Sequence, residues 1–477
     1  MPFSRETASA LGAEEIMKDR EVIDLFARCR FHDDPTSYTG PVLEQVIDVT
    51  DSIIKPDRGF VVAADGSNYE ASASDGFPSA RMGLIKIGQV WLDISAYMRI
   101  DPRSGGDPDP IEIARLEREK NTYSVPLTGA GIHLGNDEPR DSFRRSLFEA
   151  FRSERFKLLG ETLDRTLVDL LEMAGKTVVR DGVRCVVLPG DRKCPATGEP
   201  LGEDVLIPEE PGSAPSPVAR DRTLYVTDAL RLSEAFAEEG SNQQAYTRAM
   251  NALEHLILAH TIRRLDSSND TRAALSSAVF LVDGPLGIFG EPAQFHRPIM
   301  RLLHDVRARV GGVPPLVIGV TKSGRVVDHG KLIQPFLLER FPRGRTLLLP
   351  ISDSYRYRFI DLGAKNPQSN FGADTHYGQA FLVRTSSDKM FELNVAYPFA
   401  EKGDGFQERK VTLSHYGDTI FRALGVLELF QTELYEDANI AQHLAHRCAS
   451  IAHRPAGRTL DMFVRGIIQP APAVARA

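Results

Sequence analysis

Two aspartates stand directly after apolar runs and directly before a glycine. Asp65 follows the apolar run of GFVVAADGS, and Asp283 follows that of AVFLVDGPLG. Such a run ending in Asp-Gly is typical of a buried strand that presents an acid at its C-terminal end and then turns sharply. Strand ends of this kind gather along one edge of an open sheet, where ligands bind. A single Asp-Gly most often marks only a turn, but its recurrence predicts that Asp65 and Asp283 meet in one site.

Carboxylates at one sheet edge could hold divalent cations for phosphodiester hydrolysis. That reaction needs an activated water and relief of charge on the attacking and leaving oxygens, and two ions roughly 3.5–4 Å apart provide both. Hard ions such as Mg²⁺ or Mn²⁺ prefer carboxylate oxygens. Glu254 in NALEHLILAH is the strongest third acid, because its helix leads toward the second aspartate strand. Taken alone, Glu254 would be an ordinary exposed helix residue.

Three histidines lie close together near the C-terminus, in QHLAHRCASIAHRP. A histidine can complete an acidic metal site as a softer ligand that favours Mn²⁺, or it can act as a proton donor. His443, His446 and His453 are the candidates for this role. Clustered helix histidines are otherwise structural or solvated, so the residue types alone leave the choice among them open.

Several other chemistries lack their sequence signatures. There is no G-x-S-x-G elbow of a serine hydrolase. A G-x-x-x-x-G-K-[ST] phosphate loop is also missing, so any ATP-driven motor must be another protein. The four cysteines are scattered without a CxxC pair, and Cys185 to Cys194 offers at most half of a zinc ribbon. We therefore expect reduced thiols and no zinc site.

Composition and charge indicate a soluble globular protein without an overall basic surface. The chain has 477 residues, 42% of them hydrophobic and 26% charged, with a net charge of −8. That charge disfavours a protein that coats nucleic acid, whereas a nuclease needs only a local basic path. Candidate paths are SFRRSLFEAFRSERFK, HTIRR and SYRYRF, although the first two also suit solvated helix faces. No stretch approaches the roughly 18 apolar residues of a membrane span, and we expect a cytoplasmic location.

The order of apolar patterns indicates an α/β core interrupted by an insertion. Residues 1–55 have the pattern of two helices, and 56–100 that of a strand hairpin that opens the core. Residues 101–220 have the character of an insertion, with a charged helix over roughly 141–174, the hairpin TVVRDGVRCVVL and a Pro/Gly-rich loop. Strand and helix signals alternate over 221–455, which completes the core, and 456–477 form a tail. The final QPAPAVARA should be disordered.

The ordered motifs VVAADGS, MNALEHL, FLVDGPLGIFG, LVIGVTKSG and LAHRCASI resemble those of the NurA nuclease family. The resemblance covers about residues 55–455, apart from the insertion. It implies an α/β fold with an RNase H-like mixed sheet flanked by helices, and Mn²⁺-dependent cleavage of DNA. It also implies a homodimer and a partnership with a HerA-like hexameric ATPase.

The family's catalytic acids match Asp65, Glu254 and Asp283 in this order along the chain. Its final histidine fits His446 in AHRCASI better than His443. A tyrosine eight residues ahead of the family's histidine instead favours His443, because Tyr435 has that spacing to it. The assignment therefore stays divided between His446 and His443, with His446 preferred.

Two residues are expected to bind substrate, and two functions remain open. Lys322 of GVTKS and Tyr435 are the expected substrate-binding residues. The first function is a nuclease that works with a translocase in DNA end processing or in antiviral defence. The alternative is a non-cleaving RNase H-like scaffold that binds nucleic acid or an ATPase ring. Retention of both aspartates favours the nuclease, and an RNA substrate stays possible because the same metal chemistry attacks either polymer.

Overall fold

A large mixed sheet forms the centre of the protein, as described by a computed structural model for residues 10–29, 39–74, 76–77, 79–100, 117–311, 313–361, 370–431, 439–451 and 456–468. In chain order the strands are β1 (Ile47–Asp48), β2 (Phe60–Ser72), β3 (Arg81–Asp93), β4 (Glu117–Thr128), β5 (Thr177–Arg180), β6 (Val183–Leu188), β7 (Val205–Pro208), β8 (Ser213–Pro215), β9 (Thr223–Tyr225), β10 (Ala278–Asp283), β11 (Leu316–Thr321), β12 (Leu347–Pro350), β13 (Gly378–Arg384) and β14 (Met390–Ala396).

Two helices position the residues discussed below. They are the central helix, Gln243–Leu265, and the closing helix, Ile440–Ala449. The other α-helices span Ala10–Lys18, Arg20–Arg28, Thr39–Leu43, Ile94–Arg99, Pro139–Phe151, Leu163–Met173, Asn269–Leu275, His296–Val310, Arg325–Arg340, Asp353–Tyr355, Phe406–Arg409, Thr419–Phe430 and Ala456–Ile467. Short 3-10 segments cover Thr50–Ser52, Glu154–Phe156, Val226–Leu230, Leu232–Ala235, Glu291–Phe295 and Leu413–His415, and a π-turn covers Arg356–Ile360.

The main sheet has nine strands in the order β1-β12-β13-β14-β11-β10-β2-β3-β4. β10 runs parallel to both β2 and β11, and the other neighbours are antiparallel. Helices pack on the sheet, so the α/β class and the mixed sheet flanked by helices are confirmed. The predicted β2–β3 hairpin and the late β13–β14 hairpin are also present.

Alternating side chains of the strands supply two apolar cores, one on each face of the sheet. Val62 and Phe280 belong to the core that includes the central helix. Val61 and Leu281 belong to the opposite core, which includes the closing helix and the helix Thr419–Phe430. Asp65 lies four residues after Val61, and Asp283 lies two residues after Leu281, and residues an even number apart in a strand face the same side of the sheet. Both aspartates therefore face the side of the sheet that carries the closing helix.

The chain does not turn at Asp65, and this part of the sequence prediction was wrong. β2 continues through Gly66 to Ser72 because it stays paired with β3 along its whole length. Asp283, by contrast, does end β10, and Gly284 follows with a φ of 110° that favours glycine. The pairing of β10 with β2 stops at Ala64, so Asp65 is the first residue of β2 beyond that ladder.

The segment 101–220 differs from the predicted insertion at its start and in its helices. Glu117–Thr128 is β4, the edge strand of the main sheet, rather than part of an insertion. The single helix expected over 141–174 is two helices, Pro139–Phe151 and Leu163–Met173, separated by a turn at Leu159 and Gly160 with positive φ. The hairpin in TVVRDGVRCVVL is present as β5–β6, and β7 extends it to three strands.

Both ends of the chain contain more regular structure than the sequence suggested. Within 1–55 the described residues form three short helices, Ala10–Lys18, Arg20–Arg28 and Thr39–Leu43, rather than the two expected, and Ile47–Asp48 forms β1 at the edge of the main sheet. Within 456–477 the helix Ala456–Ile467 packs on β2, where Asp461 accepts hydrogen bonds from Tyr69 Oη and Ser72 N. QPAPAVARA lies outside the described residues. Among the helices that the structure describes, none is long and apolar enough to cross a membrane.

Candidate metal centre

Asp65 and Asp283 lie side by side on adjacent parallel strands. Val282 of β10 pairs with Ala64 of β2, so the next residue of each strand is an aspartate at the same level. Ligand atoms of Asp65, Asp283 and His446 all lie within 4.8 Å of one another. Asp65 is buried, Asp283 is half-buried and His446 is exposed. The cluster thus opens to solvent on the histidine side.

The closing helix brings His446, rather than His443, against Asp65. His446 Nδ1 lies 2.7 Å from Asp65 Oδ2, with the histidine side chain 56% exposed and the aspartate side chain 10% exposed. His443 lies one turn earlier and is half-buried. Burial, followed by the charges of Arg447, His446 and Lys322, lowers the pKa of His443.

The same helix also holds the second aspartate through Gln442, a residue that the sequence analysis missed. Gln442 Nε2 donates to Asp283 Oδ1 at 2.9 Å and to the backbone oxygen of Val320 at 2.6 Å. Gln442 stands four residues before His446, so both side chains project from one helix face. That spacing is the one sequence signal that could have singled it out once His446 was assigned to the site.

A glycine in β3 lets the closing helix approach the sheet closely. Gly88 pairs with Asp65 across the hairpin. A Cβ at Gly88 would stand 2.7 Å from Ala449 N and 2.8 Å from Ala445 O, which are backbone atoms of the closing helix. Ser67 Oγ also donates to the backbone oxygen of Ala449, which ties the end of this helix to β2. The absence of a side chain at Gly88 therefore helps to set the position of His446.

Glu254 reaches the aspartates from the opposite face of the sheet. A Cβ at Gly66 would lie 2.4 Å from Glu254 Oε1, so the carboxyl group occupies space that only glycine leaves free. Glu254 is 7% exposed. Its burial, and then the charges of Asp65 and Asp283, raise its pKa well above the usual value, while the Gly66 N–H partly opposes this rise. The structure thus brings Glu254 near both aspartates, although it lies outside the group of three with mutually close ligand atoms.

Like charges also act on Asp283. Its burial, followed by the negative charge of Asp65, raises the pKa of Asp283. Lys322, His446 and the hydrogen bond from Gln442 lower it in part. Carboxyl groups that are held close together despite burial and mutual repulsion are typical of sites that are completed by a cation.

The donor set fits a divalent transition metal. Two carboxylates and one imidazole offer both hard oxygen ligands and a softer nitrogen ligand, the combination that suits Mn²⁺. Among the described residues, the buried Oε1 of Gln442 has no hydrogen-bond partner. A buried acceptor without a partner on the side chain that binds Asp283 fits a site with a further polar occupant, because buried polar atoms are normally hydrogen-bonded.

Of the two residues expected to bind substrate, Lys322 lies within the described residues and Tyr435 does not. Lys322 directly follows β11, is partly buried, and acts electrostatically on Asp283. Its charge therefore lies beside the acidic cluster. Tyr435 lies outside the described residues, as does His453.

Most guanidinium groups of the predicted basic paths are engaged in internal contacts. Arg144 is 2% exposed and lies 2.5 Å from carboxylate oxygens of both Asp228 and Asp141. Arg263 and Arg264 of HTIRR both pair with Glu161. In SYRYRF, Arg356 is buried with its guanidinium 3.8 Å from the centre of the Phe371 ring. These arginines stabilise the fold rather than form an open path.

Comparisons with known proteins find one weak structural similarity and no matching family. No family model matches the chain, and no curated protein matches it. A solved structure described as "Crystal structure of NurA" is similar, with 10% sequence identity and a TM-score of 0.30 over 97% of this chain and 99% of that chain. A similarity of this size does not define a family.

Proposed function

We propose that the protein is a metal-dependent nuclease that hydrolyses phosphodiester bonds in DNA. The observation that supports this most is the convergence of ligand atoms from Asp65, Asp283 and His446 within 4.8 Å. A divalent ion bound there supplies Lewis-acid charge and an activated water for attack on phosphorus. The choice of DNA as the substrate follows the sequence resemblance, and the choice of two Mn²⁺ or Mg²⁺ ions follows the chemistry of phosphodiester hydrolysis and the carboxylate ligands.

Each residue of the cluster has a distinct role in this proposal. Asp65 and Asp283 bind the ion, and Glu254 adds a third carboxylate from the opposite face of the sheet. His446 is the most exposed member, so it can either complete the ligand set or donate a proton to the leaving oxygen. Lys322 contacts a phosphate oxygen of the substrate. Gln442 acts through Asp283, as a positioning residue.

Cleavage assays on the purified full chain test the proposal. End-labelled single-stranded DNA, double-stranded DNA and matched RNA are incubated with Mn²⁺, Mg²⁺, Ca²⁺ or EDTA. We expect DNA cleavage with Mn²⁺ or Mg²⁺, and little with Ca²⁺, because its larger radius and loose coordination position the attacking water poorly. Strong cleavage in Ca²⁺ alone or in EDTA would reject the mechanism. Binding of DNA without cleavage in any ion would indicate a non-cleaving scaffold instead.

Conservative variants separate the metal site from general effects on folding. Asp65→Asn and Asp283→Asn each keep size and polarity but remove a metal-binding charge, so each should abolish cleavage. Asp181→Asn is the matched control, because Asp181 is 95% exposed in the β5–β6 turn and has a positive φ that asparagine tolerates. Full activity in either site variant would remove that aspartate from the proposed centre.

The same proposal includes two partners, a HerA-like ATPase and a second copy of the chain. Both are inferred from the sequence resemblance, and the absence of a phosphate-loop motif also supports the ATPase. A HerA-like hexameric ATPase would move DNA toward the site, and two copies of the chain would cleave both strands. Size-exclusion chromatography with light scattering tests the homodimer and the complex with the ATPase. ATP should then stimulate digestion of long linear DNA. ATP-independent processive digestion by a monomer would contradict this part of the proposal and leave the metal site unaffected.

A further inference from the structure

Two adjoining cavities lie between the α/β core and the region that contains β5–β9, apart from the acidic cluster. Their volumes are about 610 Å³ and about 900 Å³, and they share the lining residues Lys176, Arg231, Glu234 and Gln294. Neither is lined by Asp65, Asp283 or His446. Volumes in this range are typical of sites for small organic ligands. We call the pair the cationic cleft.

The cationic cleft is rich in positive charge although the whole chain is acidic. Eight Lys or Arg residues and six Asp or Glu residues line it, whereas the chain carries a net charge of −8. Two of the six carboxylates are engaged by arginines that do not line the cleft. Arg144 holds Asp228, and Arg248 holds Glu291. One of the eight cations, Arg140, forms an ion pair with Glu238, which does not line the cleft. An excess of positive charge therefore faces the cavity.

Two lysines of the cleft have ammonium groups with capacity for an anion. Lys402 Nζ donates to the backbone oxygens of Gly372 and Ala373 at 2.8 Å each and lies 5.7 Å and 5.5 Å from the ring centres of Tyr397 and Phe406, and among the described residues it forms no ion pair. Lys176 Nζ donates to the side-chain oxygen of Gln294. An amide or carbonyl oxygen does not neutralise an ammonium group. A bound anion would do so.

The lowered pKa values of both lysines agree with a capacity to bind an anion. Burial, followed by Arg297 and with Lys410 also contributing, lowers the pKa of Lys402 to about 7, against the opposing effect of Asp374. His296 and His376 also face this ammonium group, and its charge contributes to their lowered pKa values.

The second lysine, Lys176, is affected in the same way. Burial, followed by the charges of Arg192 and Arg231, lowers the pKa of Lys176. Neighbouring cations thus disfavour the charge of each lysine, and an anion would reverse the effect.

Arg231 lies in the shared wall of the two cavities and has an unusual backbone conformation. Its φ of 59° and ψ of 20° are left-handed, which a residue with a long side chain rarely adopts. Its Nε and Nη2 both donate to Glu234 at 2.6 Å, which orients the guanidinium, and Nη1 makes no hydrogen bond within the part of the chain that the structure describes. Backbone strain of this kind persists where the surrounding structure enforces it, often at ligand sites.

We propose that the cationic cleft binds a free nucleotide. Lys176, Arg231 and Lys402 would contact its phosphates, and the partly exposed side chains of Met173 and Val187 provide apolar surface for the base. The same cations could attract phosphate from three sources, namely a nucleotide, inorganic phosphate or a DNA backbone. The apolar surface and the volume of the cleft favour the nucleotide. The site does not depend on the proposed nuclease activity, since the two share no residue.

Calorimetry on the full chain tests the cleft directly. ADP, inorganic phosphate and a short single-stranded DNA are titrated separately into the wild-type protein and into Lys176→Gln, Lys402→Gln and Lys157→Gln. Lys157 is an exposed lysine paired with Glu154, away from the cleft, and serves as the matched control. We expect ADP to bind the wild type more tightly than phosphate does. Its affinity should fall at least tenfold in the first two variants and stay unchanged in the control.

A chemical measurement keeps the proposal testable if Lys402→Gln does not fold. ADP should protect Lys176 of the wild-type protein from acylation, as read by mass spectrometry of the modified peptide, and should leave Lys157 reactive. Retention of ADP binding in Asp283→Asn would distinguish this site from the acidic cluster. Equal ADP affinity in all variants, no ADP binding at millimolar concentration, or Lys176-dependent binding of DNA but not ADP would each overturn the proposal.

Discussion

Gln442 and His446 stand one turn apart on the closing helix, and each holds one of the two aspartates. Gln442 Nε2 lies 2.9 Å from Asp283 Oδ1, and His446 Nδ1 lies 2.7 Å from Asp65 Oδ2. The aspartates themselves belong to strands that pair with each other. One helical turn therefore bridges two strands, and the placement of this helix controls the distance between ligand atoms.

Replacing Gln442 with methionine should weaken metal binding without unfolding the protein. Methionine has a similar length but cannot donate to Asp283 or to the backbone oxygen of Val320. Loss of a partner that orients a metal ligand typically costs about 10–100-fold in affinity. We expect a decrease of this size in Mn²⁺ affinity, measured by calorimetry or by electron paramagnetic resonance of free Mn²⁺. An unchanged affinity would remove Gln442 from the positioning of Asp283.

Gln379 provides the matched control for that experiment. It is also a buried glutamine, and its amide donates to the backbone oxygens of Ile351 and Ala380. Gln379→Met should therefore lower stability to a similar extent, because it also removes two buried hydrogen bonds of a side-chain amide. Its Mn²⁺ affinity should match that of the wild type. A parallel loss of affinity in both variants would mean that the effect of Gln442→Met is only structural.

Replacing Gly88 with alanine should displace the closing helix. The new Cβ would stand 2.7 Å from Ala449 N and 2.8 Å from Ala445 O, and neither backbone atom can move without the helix. Overpacking of this kind typically costs about 1–3 kcal/mol of stability. We expect a lower midpoint of thermal unfolding together with weaker Mn²⁺ binding, because His446 moves away from Asp65.

Gly466 is the control for the alanine substitution in Gly88. It lies in the helix Ala456–Ile467, where a Cβ would meet no heavy atom within 4 Å. Gly466→Ala should leave Mn²⁺ binding unchanged and stabilise its helix slightly. If Gly88→Ala binds Mn²⁺ as the wild type does, the close approach of the helix does not position His446.

The sequence predicted the pair of aspartates but not the way in which they meet. Asp65 and Asp283 were recognisable because each follows a run of apolar residues, a pattern that depends only on local order along the chain. The expected turn after Asp65 is absent, because pairing with β3 continues past Gly66. Pairing between strands far apart in sequence decided this point, and a local pattern does not contain it.

The supporting residues depend on tertiary packing and could not be recognised in the same way. Gln442 resembles any polar helix residue until the helix is placed against Asp283. Gly88 is an ordinary strand glycine until Ala445 lies over it. The sequence indicates Glu254 through the direction of its helix, but the approach of this carboxyl group past Gly66 depends on the missing Cβ of that glycine. Likewise, the single helix expected over 141–174 is broken at Leu159 and Gly160, where Arg264 of the central helix donates to the backbone oxygens of Leu158 and Leu159.

The metal-free protein should lose stability as the pH rises, with Glu254 as a main cause. Its pKa in the folded state lies well above the ordinary value of 4.5, so the folded state binds more protons than the unfolded state above that pH. The stabilising effect of the protonated form is complete below pH 4.5 and is lost as the pH rises through the elevated pKa. Thermal unfolding in EDTA, followed across this range, measures the decline.

Glu254→Gln should flatten that pH dependence. Glutamine keeps the size of the side chain and its oxygen acceptor but cannot ionise beside Asp65 and Asp283. In EDTA at pH 8 we expect the variant to unfold at a higher temperature than the wild type. With saturating Mn²⁺ the order should reverse, because the wild type gains more from the ion. A variant that is less stable than the wild type in EDTA would contradict the like-charge effect at Glu254.

Mutation of the two histidines of the closing helix should change the cleavage rate to different extents, because only His446 lies against Asp65. His446→Ala removes the imidazole from the group of three close ligand atoms, and we expect cleavage supported by Mn²⁺ to fall by orders of magnitude. His443→Ala is its matched control on the preceding turn and should change the rate little. Both variants should unfold cooperatively near the wild-type temperature, since neither side chain is fully buried. The reverse order of rates would transfer the role to His443, and equal, mild effects would make both residues structural.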